Sequence, residues 1–172
     1  HVENVSSYLR RKDYNGVYYL NTGLSGGYVV GVDQSYFDTC NYIMRSGRGF
    51  CASDYTEYRK VAILDANSSD ALFQGEDPVG KTVEIQKEPY TVVGVVTKAK
   101  VFEPVINSIE DYYTYSQESA GSVYIPNTTW PTIYQYDEPQ NVVVRVDSTD
   151  NMTAVGKSCA DILNSYLSPK DD

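Results

Sequence analysis

The clearest pattern in the chain is a compact apolar run in its middle. Residues 60–64 (KVAIL) form this run, which predicts a buried strand. Asn67 or Ser68 follows and is expected to cap a short helix that continues through Phe73. This stretch therefore predicts a strand followed directly by a helix.

Two pairs of β-branched and aromatic runs predict hairpins. Residues 82–85 and 90–96 flank a short polar turn, the arrangement of a two-stranded hairpin. Residues 16–20 and 28–32 are separated by Asn, Gly and Ser residues and predict a second hairpin. Residues 35–44, which follow this second pair, predict a short helix.

The second half of the chain has one segment without a regular pattern and then several short elements. Residues 98–121 are charged and rich in tyrosine, so we expect a long exposed loop with one helical turn. Residues 123–125 and 141–146 predict strands, and residues 126–134 predict a short helix between them.

A longer helix is predicted at the end of the chain, capped by Asp150 or Asn151. Its apolar residues recur three and four positions apart, which predicts one stripe facing a core. The stripe consists of Met152, Val155, Cys159, Ile162, Leu163, Tyr166 and Leu167. Cys159 is accordingly expected to be a core thiol rather than a nucleophile.

The order of these elements bears on the fold class. Short strands mixed with helices, without a regular βαβ alternation, are typical of an α+β fold. The 172 residues correspond to one domain at roughly 100–200 residues per domain.

The charge balance excludes two classes of partner. Fourteen Lys and Arg against 23 Asp and Glu give a net charge of −9, whereas binding to nucleic acid or to an anionic lipid surface requires the opposite sign. No run reaches the roughly 18 apolar residues of a membrane span, and no signal peptide opens the chain. The chain as given is expected to be soluble, as a segment excised from a membrane protein would also be.

The residue inventory disfavours catalysis. The one His is His1, so a zinc site or a His-dependent catalytic group is not expected. Residues 75–82 match the phosphate-binding motif GxxxxGK[ST], but a predicted helix precedes them and a predicted strand follows, the opposite of a P-loop. We therefore predict no enzyme activity and no catalytic, cofactor-binding or metal-binding residue.

The cysteines leave two alternatives open. Cys40 and Cys51 are close in sequence, while Cys159 lies far downstream. Cys40 and Cys51 either form a disulfide, which would indicate an oxidising compartment, or remain two buried thiols.

Tyrosine is unusually frequent, with 17 residues. These rings either supplement the aliphatic core or form a partner-binding surface, since tyrosine is enriched at interfaces. The candidate partner-binding residues are Tyr112, Tyr113, Tyr115, Trp130, Tyr134 and Tyr136.

About fifty positions between Gly47 and Val96 resemble a known family. The resemblance rests on GRGF at 47–50 with Asp54, VAILD at 61–65, ALF at 71–73, GEDPVGK at 75–81, VEI at 83–85 and YTVVGV at 90–95. This order and spacing resemble the MacB-like periplasmic core domain, the extracytoplasmic domain of ABC transporter permeases with an FtsX-like membrane part. The signature residues form turns and packed strands, so they indicate an architecture rather than an active site.

The resemblance implies a two-lobed domain outside the cytoplasmic membrane of a bacterium. A porter-like lobe would combine residues 1–36 and 121–172, and residues 37–120 would form an inserted mixed α/β lobe. The domain would lie between the first two membrane helices of a permease that is expected to be dimeric. It would couple ATP-driven helix motion, powered by a separate ATPase domain or subunit, to an exported substrate or an adaptor protein.

Two other functions remain open on the residues alone. One is a secreted carbohydrate- or protein-binding module that uses the tyrosines and Trp130, and the other is a glycosidase-like enzyme with an unrecognised carboxylate pair. Membrane spans flanking this segment in the full-length gene would favour the permease, and a signal peptide without such spans would favour the module.

Overall fold

A computed structural model describes residues 1–99 and 120–166 of the chain. Within these residues ten strands form one mixed sheet accompanied by four α-helices, which confirms the α+β class. The strands are β1 (Val2–Asp13), β2 (Val17–Tyr19), β3 (Thr22–Gly23), β4 (Gly27–Val32), β5 (Tyr42–Gly47), β6 (Val61–Asp65), β7 (Thr82–Ile85), β8 (Glu88–Lys98), β9 (Ser122–Pro126) and β10 (Asn141–Val146). The helices are α1 (Tyr36–Thr39), α2 (Ala52–Thr56), α3 (Ala66–Phe73) and α4 (Met152–Ser165).

The strands are arranged in the order β10-β1-β4-β9-β6-β8-β7-β2-β3, and β5 pairs with β8. The pairs β4–β9 and β6–β8 are parallel, and the other pairs are antiparallel. One sheet therefore brings together strands from the beginning, the middle and the end of the chain.

The middle of the chain folds as the sequence predicts, except for the helix cap. The strand at 60–64 and the hairpin of 82–85 with 90–96 correspond to β6, β7 and β8. The hairpin turns at Gln86 and Lys87, whose φ values of 51° and 67° are those of a tight left-handed turn. Helix α3 is capped by Asp65 rather than by Asn67 or Ser68, since the Asp65 carboxylate accepts from the Ser68 N–H at 2.8 Å.

The predicted hairpin of residues 16–20 and 28–32 is wrong. Both segments contain strands, but β2 pairs with β3 and β7, whereas β4 pairs with β1 and β9. Strand β4 is buried along almost its whole length, so it needs a neighbour on each side. The 12-residue strand β1 supplies one of them, and its many polar residues gave no strand signal in the sequence.

The helix predicted over residues 35–44 ends early. Helix α1 has four residues, and Asn41 follows it with a φ of 57° before strand β5 begins. An Asn in the left-handed region is a common helix stop. Downstream, β9 and β10 agree with the predicted strands, and a 3-10 helix at Asn127–Thr132 takes the place of the predicted short helix. Most of the loop predicted over 98–121 lies outside the described residues.

Buried side chains form one cluster on each face of the sheet. The first is mostly aliphatic, with Leu64, Leu72 and Ile85 among its members, and it also contains Trp130. The second is aromatic, with Tyr36, Phe37, Phe50 and Tyr124 among its members. Each cluster takes residues from both predicted lobes. The sheet also runs through both predicted lobes. The division into two lobes stays a prediction.

Candidate functional site

Of the predicted partner-binding rings the structure describes Trp130, Tyr134 and Tyr136, and the first two are in contact, with ring centroids 4.6 Å apart. Trp130 is fully buried, so it is a core residue and not a surface residue as the partner-binding prediction required. Its ring lies over β4, where a Cβ at Gly31 would come within 2.8 Å of the indole. Tyr134 is half-buried and Tyr136 is 88% exposed. Tyr112, Tyr113 and Tyr115 lie outside the described residues, and their role stays a prediction.

Trp130 and Tyr134 connect the segment after β9 to strand β1 through hydrogen bonds and an ion pair. The Trp130 indole N–H donates to Glu138 at 2.8 Å, and Glu138 forms an ion pair with Arg11. The Tyr134 hydroxyl donates to Asp13 at 2.7 Å. Burial and the nearby Asp13 carboxylate raise the pKa of Tyr134. These contacts give the two rings a structural role that their positions in the sequence did not reveal.

Cys40 and Cys51 are free thiols in the structure and lie in different surroundings. Burial raises the pKa of the Cys40 thiol. Cys51 caps helix α2, and hydrogen bonds with Ser53 and the Asp54 backbone lower the pKa of its thiol. Cys159, the third free thiol, is half-buried on α4 rather than in a core.

The strongest candidate for a functional region is the sheet edge where the start of β1 meets the end of β10. Val2 on β1 pairs with Val146 on β10, and the Asp147 N–H donates to the His1 carbonyl at 3.0 Å. The His1 ring lies 2.9 Å from the Asp147 carboxylate and 3.0 Å from the Asn151 amide. Helix α4 begins at Met152, the residue after Asn151, so the start of the helix and the start of β1 are adjacent. Sequence reasoning missed these residues because a contact across 146 positions leaves no local signal.

The apolar stripe of helix α4 does not face a core, which corrects the sequence prediction. None of the 14 helix residues is buried, and Met152, Ile162 and Leu163 are each more than half exposed. Tyr166, just beyond the helix, is 83% exposed. Within the described part of the chain, α4 therefore presents an uncovered apolar face beside the β1–β10 edge.

Two further observations concern residues 1–99 and 120–166 alone. No helix there is long and apolar enough to cross a membrane. Over the same residues, no group of three or more His, Cys, Asp or Glu side chains is placed to hold a metal ion.

A family model described as the MacB-like periplasmic core domain matches residues 1–162. The chain belongs to this family. As a MacB-like periplasmic core domain, it is an extracytoplasmic domain of an ABC transporter permease, and ATP hydrolysis in such permeases belongs to a different domain.

Two curated relatives of this MacB-like domain are whole transporter proteins. It is 29% identical over 160 residues to the uncharacterized ABC transporter permease YvrN of Bacillus subtilis, covering 88% of this chain and 37% of that protein. It is 27% identical over 151 residues to the macrolide export ATP-binding/permease protein MacB of Aggregatibacter actinomycetemcomitans, covering 88% of this chain and 22% of that protein. The chain thus spans well under half the length of these relatives.

Two solved structures share the fold. The periplasmic region of MacB from Actinobacillus actinomycetemcomitans aligns with a TM-score of 0.70 at 22% identity, over 95% of this chain and 67% of that one. The extracellular domain of the transporter YknZ from Gram-positive bacteria aligns with a TM-score of 0.68 at 21% identity, over 95% and 75%. Both alignments show that this chain shares the fold of these domains.

The residues that carry the MacB-like signature are structural in this domain. The Arg48 guanidinium donates to both oxygens of the fully buried Asp54, at 2.7 and 3.1 Å. Burial would raise the pKa of Asp54, but hydrogen bonds from Arg48 and from the Cys51 N–H at 2.9 Å lower it on balance. This pair joins the end of β5 to helix α2.

The GEDPVGK segment of the signature forms a turn between α3 and β7. The Lys81 N–H donates to the Pro78 carbonyl at 3.0 Å, and the Lys81 ammonium lies 2.6 Å from Glu76. Strand β7 follows it, in agreement with the order that argued against a P-loop.

Proposed function

We propose that this chain couples the membrane part of a MacB-like ABC permease to events outside the membrane. ATP hydrolysis by a cytoplasmic domain or subunit moves the membrane helices, and the domain relays that motion to an exported substrate or to an adaptor protein. The domain itself performs no chemical step in this proposal.

The observation that carries the proposal is the meeting of β1 and the start of α4 at one sheet edge. The Val2–Val146 pair and the hydrogen bonds between His1, Asp147 and Asn151 tie the two segments together. A domain inserted between neighbouring membrane helices receives force through two connections, and it responds as one body when those connections are joined. The joined β1 and β10 at this sheet edge support the proposal.

The sheet supports transmission from this edge to the far side of the domain. Strand β1 continues for 12 residues, and pairs with β4, from which β9, β6 and β8 follow in order. A continuous hydrogen-bonded sheet with two buried clusters is stiff, because close-packed interiors transmit displacement rather than absorb it.

Two partners of the whole permease are part of the proposal. We propose a dimeric permease, in which the exposed apolar face of α4 lies beside other helical segments of the assembly. We also propose that Tyr136, together with the tyrosines at 112, 113 and 115, contributes to a contact with an adaptor or substrate, since tyrosine is favoured at interfaces. Replacement of those three tyrosines by Ser in the full-length permease should then impair transport while its ATPase activity remains.

The test is to loosen the connection between the sheet and α4 in the full-length permease. Insertion of two Gly residues between Ser148 and Thr149 leaves the sheet pairing of β10 intact but separates it from the helix. We expect transport to fall at least about tenfold while basal ATP hydrolysis is retained, since the motion no longer reaches the sheet.

A matched insertion serves as the control. Two Gly residues placed between Leu20 and Asn21, at the exposed tip of the β2–β3 hairpin, lengthen a turn far along the sheet from β10. We expect that variant to transport at the parent rate. Equal transport by both insertion variants would contradict the coupling role, while leaving the family membership intact.

A further inference from the structure

A cavity of about 300 Å³ lies on the aromatic face of the sheet. Five tyrosines contribute to its walls, Tyr8, Tyr28, Tyr36, Tyr42 and Tyr124. They come from α1 and from four strands, β1, β4, β5 and β9, so the walls are built mainly on the hydrogen-bonded sheet. The volume is at the lower end of the range for small-molecule sites, roughly 300–1,000 Å³.

The charged residues of the cavity favour an anion. Among the described residues that line it, Arg10 and Lys98 are the cations and Asp65 is the carboxylate. The Arg10 guanidinium is 3.8 Å from the centre of the Tyr28 ring, and the Lys98 ammonium is 5.9 Å from that of Tyr42. Both cations are therefore held against the aromatic walls, and both remain exposed to an incoming ligand.

Asp65 offsets one of the two cations, so the charged lining residues sum to +1. One of its oxygens accepts from the Ser68 N–H at 2.8 Å and the other accepts from the Ser122 N–H at 2.9 Å. The carboxylate is thus occupied in capping α3 and fixing the start of β9. This carboxylate sits at the positive end of the α3 dipole and offsets it, so the positive field of the cavity comes from Arg10 and Lys98.

Two tyrosine hydroxyls add polar groups to the cavity walls. The Tyr124 hydroxyl donates to the Tyr42 hydroxyl at 3.0 Å, so Tyr42 can donate its own hydrogen to an acceptor in the cavity. The lining combines tyrosine rings with polar residues such as Thr97 and Ser122, so it offers an organic molecule both ring surfaces and hydrogen-bonding groups.

We propose that this cavity binds a small organic anion, with a ring or other apolar body stacked between the tyrosines and a phosphate or carboxylate facing Arg10 and Lys98. The net charge of −9 does not oppose this, because charges farther away than about 8–10 Å are screened at physiological salt. Arg10 and Lys98 lie at the cavity itself. The site is independent of the coupling role proposed above, and either proposal can fail without the other.

The first test uses the unmodified chain and three probes. Phenyl phosphate has the ring and the anion, inorganic phosphate lacks the ring, and benzylamine has the ring with the opposite charge. Calorimetric titration should give a dissociation constant for phenyl phosphate at least about tenfold lower than for either of the others. Equal affinity for inorganic phosphate, equal affinity for benzylamine, or no binding of phenyl phosphate at millimolar concentration would each overturn the proposal.

The second test places the anion. Arg10→Gln and Lys98→Gln should each weaken phenyl phosphate binding about fivefold, because each removes one charge at the cavity. Lys157→Gln removes the same charge from the exposed surface of α4 and should leave the affinity unchanged. All three residues are exposed, so folding is retained, as a thermal melt can verify. An effect of Lys157→Gln as large as those of the other two would overturn the site assignment.

Discussion

At the scale of single residues, part of the MacB-like signature lies where two backbone segments come very close to each other. Gly47 at the end of β5 has a φ of 71°, and a Cβ there would lie 2.1 Å from the Val93 carbonyl oxygen. The neighbouring Arg48 N–H donates to that same carbonyl at 2.8 Å. The glycine and the arginine of the signature thus hold β5 against β8 through the backbone.

Gly47→Ala should therefore destabilise the fold by about 2 kcal/mol or more, since the added methyl group both clashes and opposes a left-handed backbone. Urea unfolding followed by circular dichroism measures the change. Gly49→Ala is the matched control, because nothing lies within 4 Å of a Cβ at that position. It should change the free energy of unfolding by no more than about 0.5 kcal/mol. Equal effects at both positions would contradict the close-approach explanation.

Asp13 is a second residue whose environment sets a measurable property. Its carboxylate accepts from the Gly16 N–H at 2.6 Å, the Gln86 amide at 2.6 Å and the Tyr134 hydroxyl at 2.7 Å. Burial would raise the pKa of Asp13, but these hydrogen bonds outweigh it and the pKa is lowered. The ionised form is therefore favoured in the folded state.

A lowered carboxylate pKa contributes stability above the unfolded value near 3.9 and loses it as pH falls through the folded value. Asp13→Asn should cost about 1–3 kcal/mol at pH 7, because an amide cannot accept all of these hydrogen bonds. The difference from the parent should shrink as pH falls from 5 to about 2. Urea unfolding at a series of pH values measures this. Asp161→Asn on exposed α4 should follow the parent at every pH, and a pH-independent cost of Asp13→Asn would contradict the explanation.

At the scale of elements, sequence patterns succeeded where a segment is buried by its neighbours in the chain. Strand β6, helix α3 and the β7–β8 hairpin are such a unit, and their periodicity and turn residues predicted them. Strand β1 was not predicted, because its partners β4 and β10 are distant in sequence and its exposed side carries polar residues. The aromatic cavity was not predictable for the same reason, since its walls come from segments far apart in the chain.

Helix α4 shows the limit of periodicity as evidence of burial. The stripe predicts which side chains share a face, but not what that face contacts. In the described chain the face is exposed, so Leu163 contributes little to folding, while Leu72 on α3 is 2% exposed.

The same substitution at these two leucines separates the helix face from the core. Leu163→Ser should change the free energy of unfolding by no more than about 0.5 kcal/mol, as exposed positions do. Leu72→Ser should cost at least about 3 kcal/mol, since it leaves both a cavity and a buried hydroxyl. Urea unfolding of the isolated chain measures both. A large cost at Leu163 would indicate that α4 packs on this domain.

At the scale of the whole molecule, the single sheet bears on both the predicted lobes and the proposed coupling. The chain ends supply β1 to β4, β9 and β10, and the middle supplies β5 to β8, yet β9 pairs with both β4 and β6, and β2 pairs with β7. The two buried clusters also cross the predicted boundary. A domain built in this way should unfold as one unit, which is the property that a relay of motion requires.

The one tryptophan allows this to be tested directly. Trp130 belongs to the part of the chain assigned to the lobe of the chain ends, and it is fully buried beside Gly31 and Tyr134 of that part, so its fluorescence follows the packing there. Far-UV circular dichroism reports on all strands and helices. In urea the two signals should change at the same midpoint, as they do when unfolding is two-state. Ile63→Ala, in β6 of the middle part, should cost about 2–5 kcal/mol and shift both midpoints by the same amount. If Ile63→Ala moved the circular dichroism transition but left the Trp130 transition in place, the two parts would be independent folding units. The sheet would then be too weakly joined at the β9–β6 and β2–β7 pairs to carry motion from one side of the domain to the other.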